Sequence, residues 1–201
     1  MKIDIIVANC FNGGIGKSNK LPFSFTSDLK YFSKITKGEA SFSNGLLMGR
    51  NTWESLPVKP LPYRHNYVIS KTMEGDNVFK NIDSCLEYCK EQNLNTLWVI
   101  GGETIYQQFL FNKHYNKLVE YVHMTKIYKK YDCDKFFPVD FVCNTDNWSQ
   151  TSSYTHSERG VQLDFTTYKN MKKKDVSENY YDNCLLKWKN RNVSLKKEVF
   201  D

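Results

Sequence analysis

Short apolar runs that stop at glycine or asparagine and give way to helical spacing recur through the first half of the chain. This alternation decides the class of fold. Ile3 to Ala8 runs into N-C-F-N-G-G-I-G-K-S-N-K-L-P, which is too rich in Gly and Asn to continue a strand. Leu46 to Met48 ends at Gly49, Tyr67 to Ser70 follows a proline-marked loop at Pro57 to Pro62, and Leu97 to Ile100 runs straight into Gly101 and Gly102. Runs this short and apolar suit strands covered on both faces, as in a parallel sheet. Helices are predicted from Thr26 as cap to about Thr36, over R-N-T-W-E-S-L from Arg50, from Asp83 as cap to about Glu91, and after Gly102 with Ile105, Phe109 and Leu110 on the inner face. From Leu118 the pattern changes to strands: Leu118 to Ile127, a loop through Asp134 and Pro138, then Trp148 to His156 and Val161 to Tyr168 joined by H-S-E-R-G as a hairpin. The expected fold class is α/β, with a central mostly parallel mixed sheet, an antiparallel C-terminal hairpin and about four flanking helices.

A chain of 201 residues buries one substantial core, so residues 1–170 are read as a single domain and 171–201 as a C-terminal extension, helical or loosely docked. That extension opens K-K-K-D, holds the apolar cluster Cys184, Leu185, Leu186 and Trp188, and mixes acids with its basic residues. With 40% hydrophobic and 25% charged residues the composition is that of a globular protein and excludes a disordered chain. The formal charge of +6 is spread along the sequence rather than gathered in a patch. It suits a small polyanion better than nucleic acid. Six cysteines lie too far apart for a disulfide scaffold, and Cys85 with Cys89 has no second pair at zinc spacing, so reduced thiols and no metal are expected. No window approaches the ~20 apolar residues of a membrane span, so a cytoplasmic location is expected.

The chemistry concentrates at strand exits. Gly49 opens into Arg50, Asn51 and Thr52, which bring free N–H groups, a cation and a hydroxyl to one place and suit an anion such as phosphate. Gly101 and Gly102 open the next such helix, where the main chain can approach a diphosphate without Cβ clash. This is not G-x-G-x-x-G, which disfavours the usual dinucleotide fold.

Asp28 is the odd member of an apolar stripe formed with Phe32 and Ile35, with Leu29 beside it. An acid in a first helical turn commonly does no more than complement the backbone dipole. The alternative is that Asp28 lines an apolar pocket and offers its two oxygens to a flat heterocycle with paired N–H donors.

These stations, in this order, resemble the dihydrofolate reductase family over Ile3 to Tyr168. The motifs are Ala8, Ile15-Gly16, Leu21-Pro22 and Asp28-Leu29 with Phe32, then M-G-R-N-T-W-E-S at Met48 to Ser55. P-L-P-Y-R at Pro60 to Arg64, Ser70, I-G-G at Ile100 to Gly102 with Tyr106, Thr125, and Asp134 to Pro138 complete the series. The resemblance implies a single-domain reductase-like fold and NADPH-dependent reduction of 7,8-dihydrofolate, with hydride to C6 and a proton to N5. It implies a catalytic group of Asp28, supported by Thr125, with Leu21 at the lid. Asp28 would receive the pterin's N3–H and 2-amino group. Ile6, Val7, Leu29, Phe32 and Leu61 would wall the substrate, and Arg64 would grip its glutamate carboxylate.

For the cofactor the resemblance implies Ala8 and the loop Gly14, Ile15, Gly16, Lys17 to Leu21 at the nicotinamide, with Ile100 nearby. Gly101, Gly102, Glu103, Thr104, Ile105 and Tyr106 would meet the diphosphate and Arg50 with Lys71 the 2′-phosphate, with Gly49, Asn51, Thr52 and Ser70 also binding the cofactor. The expected partners are dihydrofolate and, for the tail, a thymidylate-synthesising enzyme, with no membrane or nucleic acid and a monomeric chain. Three positions depart from the family's habit: Phe23 where most members have Trp, Tyr63 where Gly usually precedes the substrate arginine, and Thr104 where many bacterial members carry arginine. Two other readings compete. One is a related-fold pyrimidine reductase of riboflavin synthesis, which need not keep Asp28 and Arg64 together. The other is a binding or structural descendant that uses its basic tail.

Overall fold

A computed structural model describes residues 1–144, 146–171 and 179–197. The chain runs β1 (Lys2–Cys10), β2 (Gly14–Gly16), α1 (Thr26–Lys37), β3 (Asn44–Gly49), α2 (Arg50–Ser55), β4 (His65–Ile69), β5 (Val78–Phe79), α3 (Ile82–Glu91) and β6 (Thr96–Gly101). It continues with α4 (Glu103–Phe111), α5 (Lys113–Leu118), β7 (Val119–Ile127), β8 (Lys135–Phe136), α6 (Val139–Cys143), β9 (Trp148–Glu158), β10 (Val161–Asn170) and α7 (Tyr180–Lys197). Four of these helices, α1, α3, α4 and α7, have nine or more residues.

An eight-stranded sheet has the order β5-β4-β3-β6-β1-β7-β10-β9. The pairs among β5, β4, β3, β6, β1 and β7 are parallel, whereas β10 runs antiparallel to both β7 and β9. The α/β class, the mostly parallel sheet and the antiparallel hairpin are as the sequence predicts. The apolar runs become fully covered strands: Ile5, Leu46, Leu47, Met48, Leu97 and Val99 have no exposed surface. Trp98 packs on one face with Ile6, Leu46 and Met48, while Val99 packs on the other with Ile5, Leu47 and Phe109.

Both predicted helix caps shift. Phe25, not Thr26, precedes α1 and contributes no side-chain cap. Asn81 caps α3 by accepting from the Ser84 N–H at 2.9 Å, while Asp83 accepts from the Tyr115 hydroxyl at 2.8 Å. The short elements α5, α6 and β8 were not predicted, because five or six helical residues, or two strand residues, carry no readable period.

The C-terminal helix α7 packs against the rest of the described chain. Tyr181 is buried, its hydroxyl donates to Asn116 Oδ1 at 3.2 Å, and Trp188 packs against Phe111 at 6.1 Å between ring centres. Arg191 pairs with Asp140. Residues 172–178, which carry the K-K-K-D motif, lie outside the described residues. Among the described residues no helix is long and apolar enough to cross a membrane.

Candidate active site

The parallel strands β1, β3, β4 and β6 end on one edge of the sheet. There Ala8, Gly49, Ser70 and Ile100 open into a cleft of about 1420 Å³. Ligand clefts form at such edges because the strand ends and the following helix starts leave polar backbone pointing outward. α1 supplies the opposite wall, with Asp28, Leu29 and Phe32 facing the same space as Ile6, Val7 and Leu61.

Asp28 sits where α1 crosses β7. The buried Thr125 hydroxyl favours its ionised form. Burial raises the proton affinity of Asp28, the Thr125 bond lowers it, and the negative charge of Glu158 raises it again, leaving a pKa of about 6. An acid that is mostly ionised at neutral pH yet raised toward it, in an apolar wall, can accept paired N–H donors and is protonated more readily than an exposed carboxylate. The first N–H groups of α1, those of Thr26 and Ser27, are taken by Glu158 at 2.9 Å each.

At the other end of that wall Arg64 is a buried cation. Its Nε donates to the Pro62 carbonyl at 3.0 Å and its Nη1 to Thr36 Oγ1 at 2.7 Å, while Thr36 Oγ1 donates onward to the Phe32 carbonyl. Among the described residues no carboxylate pairs with Arg64, and Nη2 has no partner. Burial therefore lowers its pKa. A guanidinium fixed on one side and unpaired on the other is a receptor for a carboxylate. Asn66, which the sequence reading missed, braces this loop by bonding Leu61 N and O and the Arg64 carbonyl at 2.9 to 3.0 Å.

Across the sheet edge the two glycine-led helices face each other. Neither Gly49 before α2 nor Gly102 before α4 brings a side chain to the first-turn N–H groups. Gly101 has φ +116, and a Cβ there would lie 3.1 Å from the Tyr106 ring; the Gly101–Gly102 peptide is cis. A Cβ on Gly102 would meet Thr52 Oγ1 at 3.2 Å, so these glycines leave a cradle that any side chain would fill. Arg50, Asn51, Thr52, Ser70, Lys71, Thr104, Ile105 and Tyr106 line the same cleft. Arg50 is held by Thr72 at 2.8 Å and by Glu54 at 3.1 Å.

Several expected positions fall elsewhere. Gly14 and Lys17 do not line the cleft. A Cβ on Gly14 would be 2.4 Å from Cys133 Sγ, so this glycine faces the Cys10–Cys133 pair beneath β2. The Lys17 ammonium lies 3.0 Å from Asp132. Ile15, Gly16 and Leu21 of the same loop do reach the cleft, and Leu21 is exposed. Glu103 lines the cleft too, with its carboxylate accepting from the Phe136 N–H at 2.9 Å and from Asn192 at 3.4 Å. Lys80 lines the cleft and was missed. The pairing of Ile69 with Phe79 sets Lys80 beside the exit of β4, and its Nζ donates to the carbonyls of Met73 and Lys71 at 3.1 and 3.4 Å. Among the described residues no three His, Cys, Asp or Glu side chains converge as a metal site.

The sequence profile of the dihydrofolate reductase family matches residues 2–170. The chain belongs to the dihydrofolate reductase family. It is 35% identical to the dihydrofolate reductase of Drosophila melanogaster over 149 residues, covering 69% of this chain and 80% of that protein. A Heliothis virescens dihydrofolate reductase is 33% identical over 151 residues, with 69% and 80% covered. The bifunctional dihydrofolate reductase-thymidylate synthase of Paramecium tetraurelia is 35% identical over 164 residues, which span 80% of this chain and 33% of that protein.

Within the dihydrofolate reductase fold, the departures have structural consequences. Phe23 is buried and meets Tyr131 edge-on at 5.6 Å, so an aromatic remains there without an indole N–H. Tyr63 has φ 66, the left-handed region that favours glycine. Its ring lies under the Lys37 ammonium at 4.9 Å and its carbonyl accepts from Phe42 N at 2.9 Å, contacts that offset the backbone strain.

Proposed function

We propose that this member of the dihydrofolate reductase family is an oxidoreductase that reduces 7,8-dihydrofolate to tetrahydrofolate with NADPH. The observation that carries the reading is the pairing of Asp28 and Arg64 on one wall of a single cleft, an acid at one end and an unpaired guanidinium at the other. Dihydrofolate has the complementary layout, with paired N–H donors on a flat ring and a carboxylate at the far end of its tail.

The cradle supports the cofactor reading. The glycine pair with Thr52 leaves room for a diphosphate, and Lys71 and Lys80, with Arg50 beside them, supply positive charge for a further phosphate. When bound, NADPH would supply the hydride. The chain's own residues do the rest. Asp28 accepts the ring's N3–H and 2-amino group, Thr125 holds the carboxylate in place, and the pKa near 6 keeps a proton within reach of N5 by way of a water. Leu29, Phe32 and Leu61 exclude solvent from the ring, and Ala8 with the segment from Ile15 to Leu21 covers the other side.

Residues 1–170 form the reductase unit in this reading, with 171–201 as an extension, and the protein works as a cytoplasmic monomer in one-carbon metabolism. The bifunctional relatives make a thymidylate-synthesising enzyme the partner to test for the extension. A pyrimidine reductase would give the Arg64 guanidinium no carboxylate to bind. An idle binding protein would have no use for an acid near pH 6 facing the cradle. The decisive assay follows NADPH absorbance with purified protein, with and without dihydrofolate. Oxidation should require dihydrofolate and yield tetrahydrofolate, and absence of such turnover would overturn the reading.

A further inference from the structure

The H-S-E-R-G turn of the β9–β10 hairpin grips the start of α1 from the far side of the chain. The Glu158 carboxylate accepts from Thr26 N and Ser27 N at 2.9 Å each and from Ser27 Oγ at 2.6 Å. Next to it Arg159 donates to the Ser24 carbonyl and lays its guanidinium 4.8 Å from the Phe25 ring centre. The turn itself is tight. Arg159 and Gly160, at φ 54 and 73, join Glu158 to its pairing partner Val161, so the carboxylate is carried at the end of a rigid ribbon.

A helix start must find acceptors for its orphan N–H groups, and the usual source is the residue just before it. Here that residue is Phe25, which has none to offer, and its ring instead lines the cleft. An acid at the third helical position, as Asp28 is, can instead fold back on the helix start and bond the N–H of the residue before it. We propose that Glu158 is a positioning residue for Asp28: by capping α1 from the hairpin it fixes the first turn of the helix and leaves the acid to face the pocket. This rests on the reading of Asp28 given above.

The electrostatics agree with the geometry. Glu158 is held as an anion, with a pKa of about 2, by its bonds to Ser27 and Thr26 and by Arg159 at 3.6 Å. Its charge raises the proton affinity of Asp28. The other titratable groups coupled to Asp28 are Tyr31 on α1, Tyr106 on α4 and Tyr154 on β9, all neutral phenols whose pKa values are pushed up, so Glu158 is the one charge acting on it among the described residues.

The test compares Glu158→Gln, Glu158→Ala and Ser27→Ala in the full chain. The midpoint of Asp28 is read by carbon NMR of the unliganded protein, and kcat/KM for dihydrofolate is read across pH. Glu158→Gln keeps an acceptor and loses the charge, so the Asp28 midpoint should move down with most of the activity retained. Glu158→Ala should also lower kcat/KM, by roughly tenfold at neutral pH, as a small displacement of the acid would. Ser27→Ala removes a single bond and should shift both readouts less, which keeps the test open if the alanine variant of Glu158 does not fold. A fall in melting temperature alone, with the Asp28 midpoint and kcat/KM unchanged in Glu158→Gln and Glu158→Ala, would make Glu158 a stabilising cap only and overturn the proposal. The NMR readout does not depend on turnover, so a wild-type protein without reductase activity would fail the functional reading and leave this test intact.

Discussion

Thr125, buried in β7, favours the ionised form of Asp28 on α1, against the burial that disfavours it. The hydroxyl lowers the proton affinity of the carboxylate while burial raises it. That opposition has measurable consequences for stability.

Asp28 has a folded-state pKa of about 6 against an ordinary 3.8. A value raised in the folded state means that the group's contribution is fully present below 3.8 and is lost as pH rises through 6. Unliganded Asp28→Asn should therefore be more stable than wild type at pH 8, by on the order of 2 kcal/mol, with the gap closing below about pH 4. Asp4, buried in β1 and also raised to about 6, titrates over the same range, so Asp4→Asn is the control that separates the two contributions in thermal melts.

Arg64 should act on the substrate's tail and not on its ring. Arg64→Gln keeps a polar side chain yet loses the charged fork. It should raise KM for dihydrofolate about 10- to 100-fold, the scale of a charge-assisted hydrogen-bond pair. Turnover of a reduced pterin lacking the glutamate should be unchanged in the same variant, and an equal loss on both substrates would reject the assignment.

Lys71 and Lys80 share the exit of β4, and each should favour the cofactor with the extra phosphate. Lys71→Ala should narrow the preference for NADPH over NADH about tenfold, with the double variant Lys71→Ala, Lys80→Ala losing more. The ratio of kcat/KM for the two cofactors reads this directly, and a ratio unchanged in the double variant would remove both lysines from the phosphate site.

Truncation after Asn170 removes α7 and with it the burial of Tyr181 and the packing of Trp188 on Phe111. Burying Tyr181 and part of Trp188 stabilises by roughly 2 to 5 kcal/mol, which for a domain of this size is about 10 °C in melting temperature. The truncated protein should melt lower and still reduce dihydrofolate. A melt identical to the full chain would mean that α7 does not dock in solution.

Much of this arrangement is legible in the residues alone. The strands that stop at Gly49 and Gly101 can be read because parallel strands need unbroken apolar runs and their exits need glycine, two signals that are local in sequence. Asp28 stands out for the same reason, as an acid on an apolar stripe. What escapes is set by contacts distant along the chain. The cap of α1 comes from Glu158, Lys80 reaches the cleft only because β5 lies beside β4, and Glu103 turns to β8, a strand of two residues. Gly14 and Lys17 are expected at the cofactor from the loop that contains them, yet one packs on Cys133 and the other pairs with Asp132. A loop's composition marks where it is mobile or tight, not which way each residue faces.

The most direct measurement is single-turnover reduction of dihydrofolate by wild type and Asp28→Asn, with NADPH prebound, across pH 5 to 9. The wild-type rate should fall as pH rises past about 6, where the proton destined for N5 becomes scarce. Asp28→Asn should be slower by about 10² to 10³ at neutral pH, lack that titration, and bind NADPH nearly as wild type does. An Asp28→Asn protein with the wild-type rate and pH profile would contradict the account.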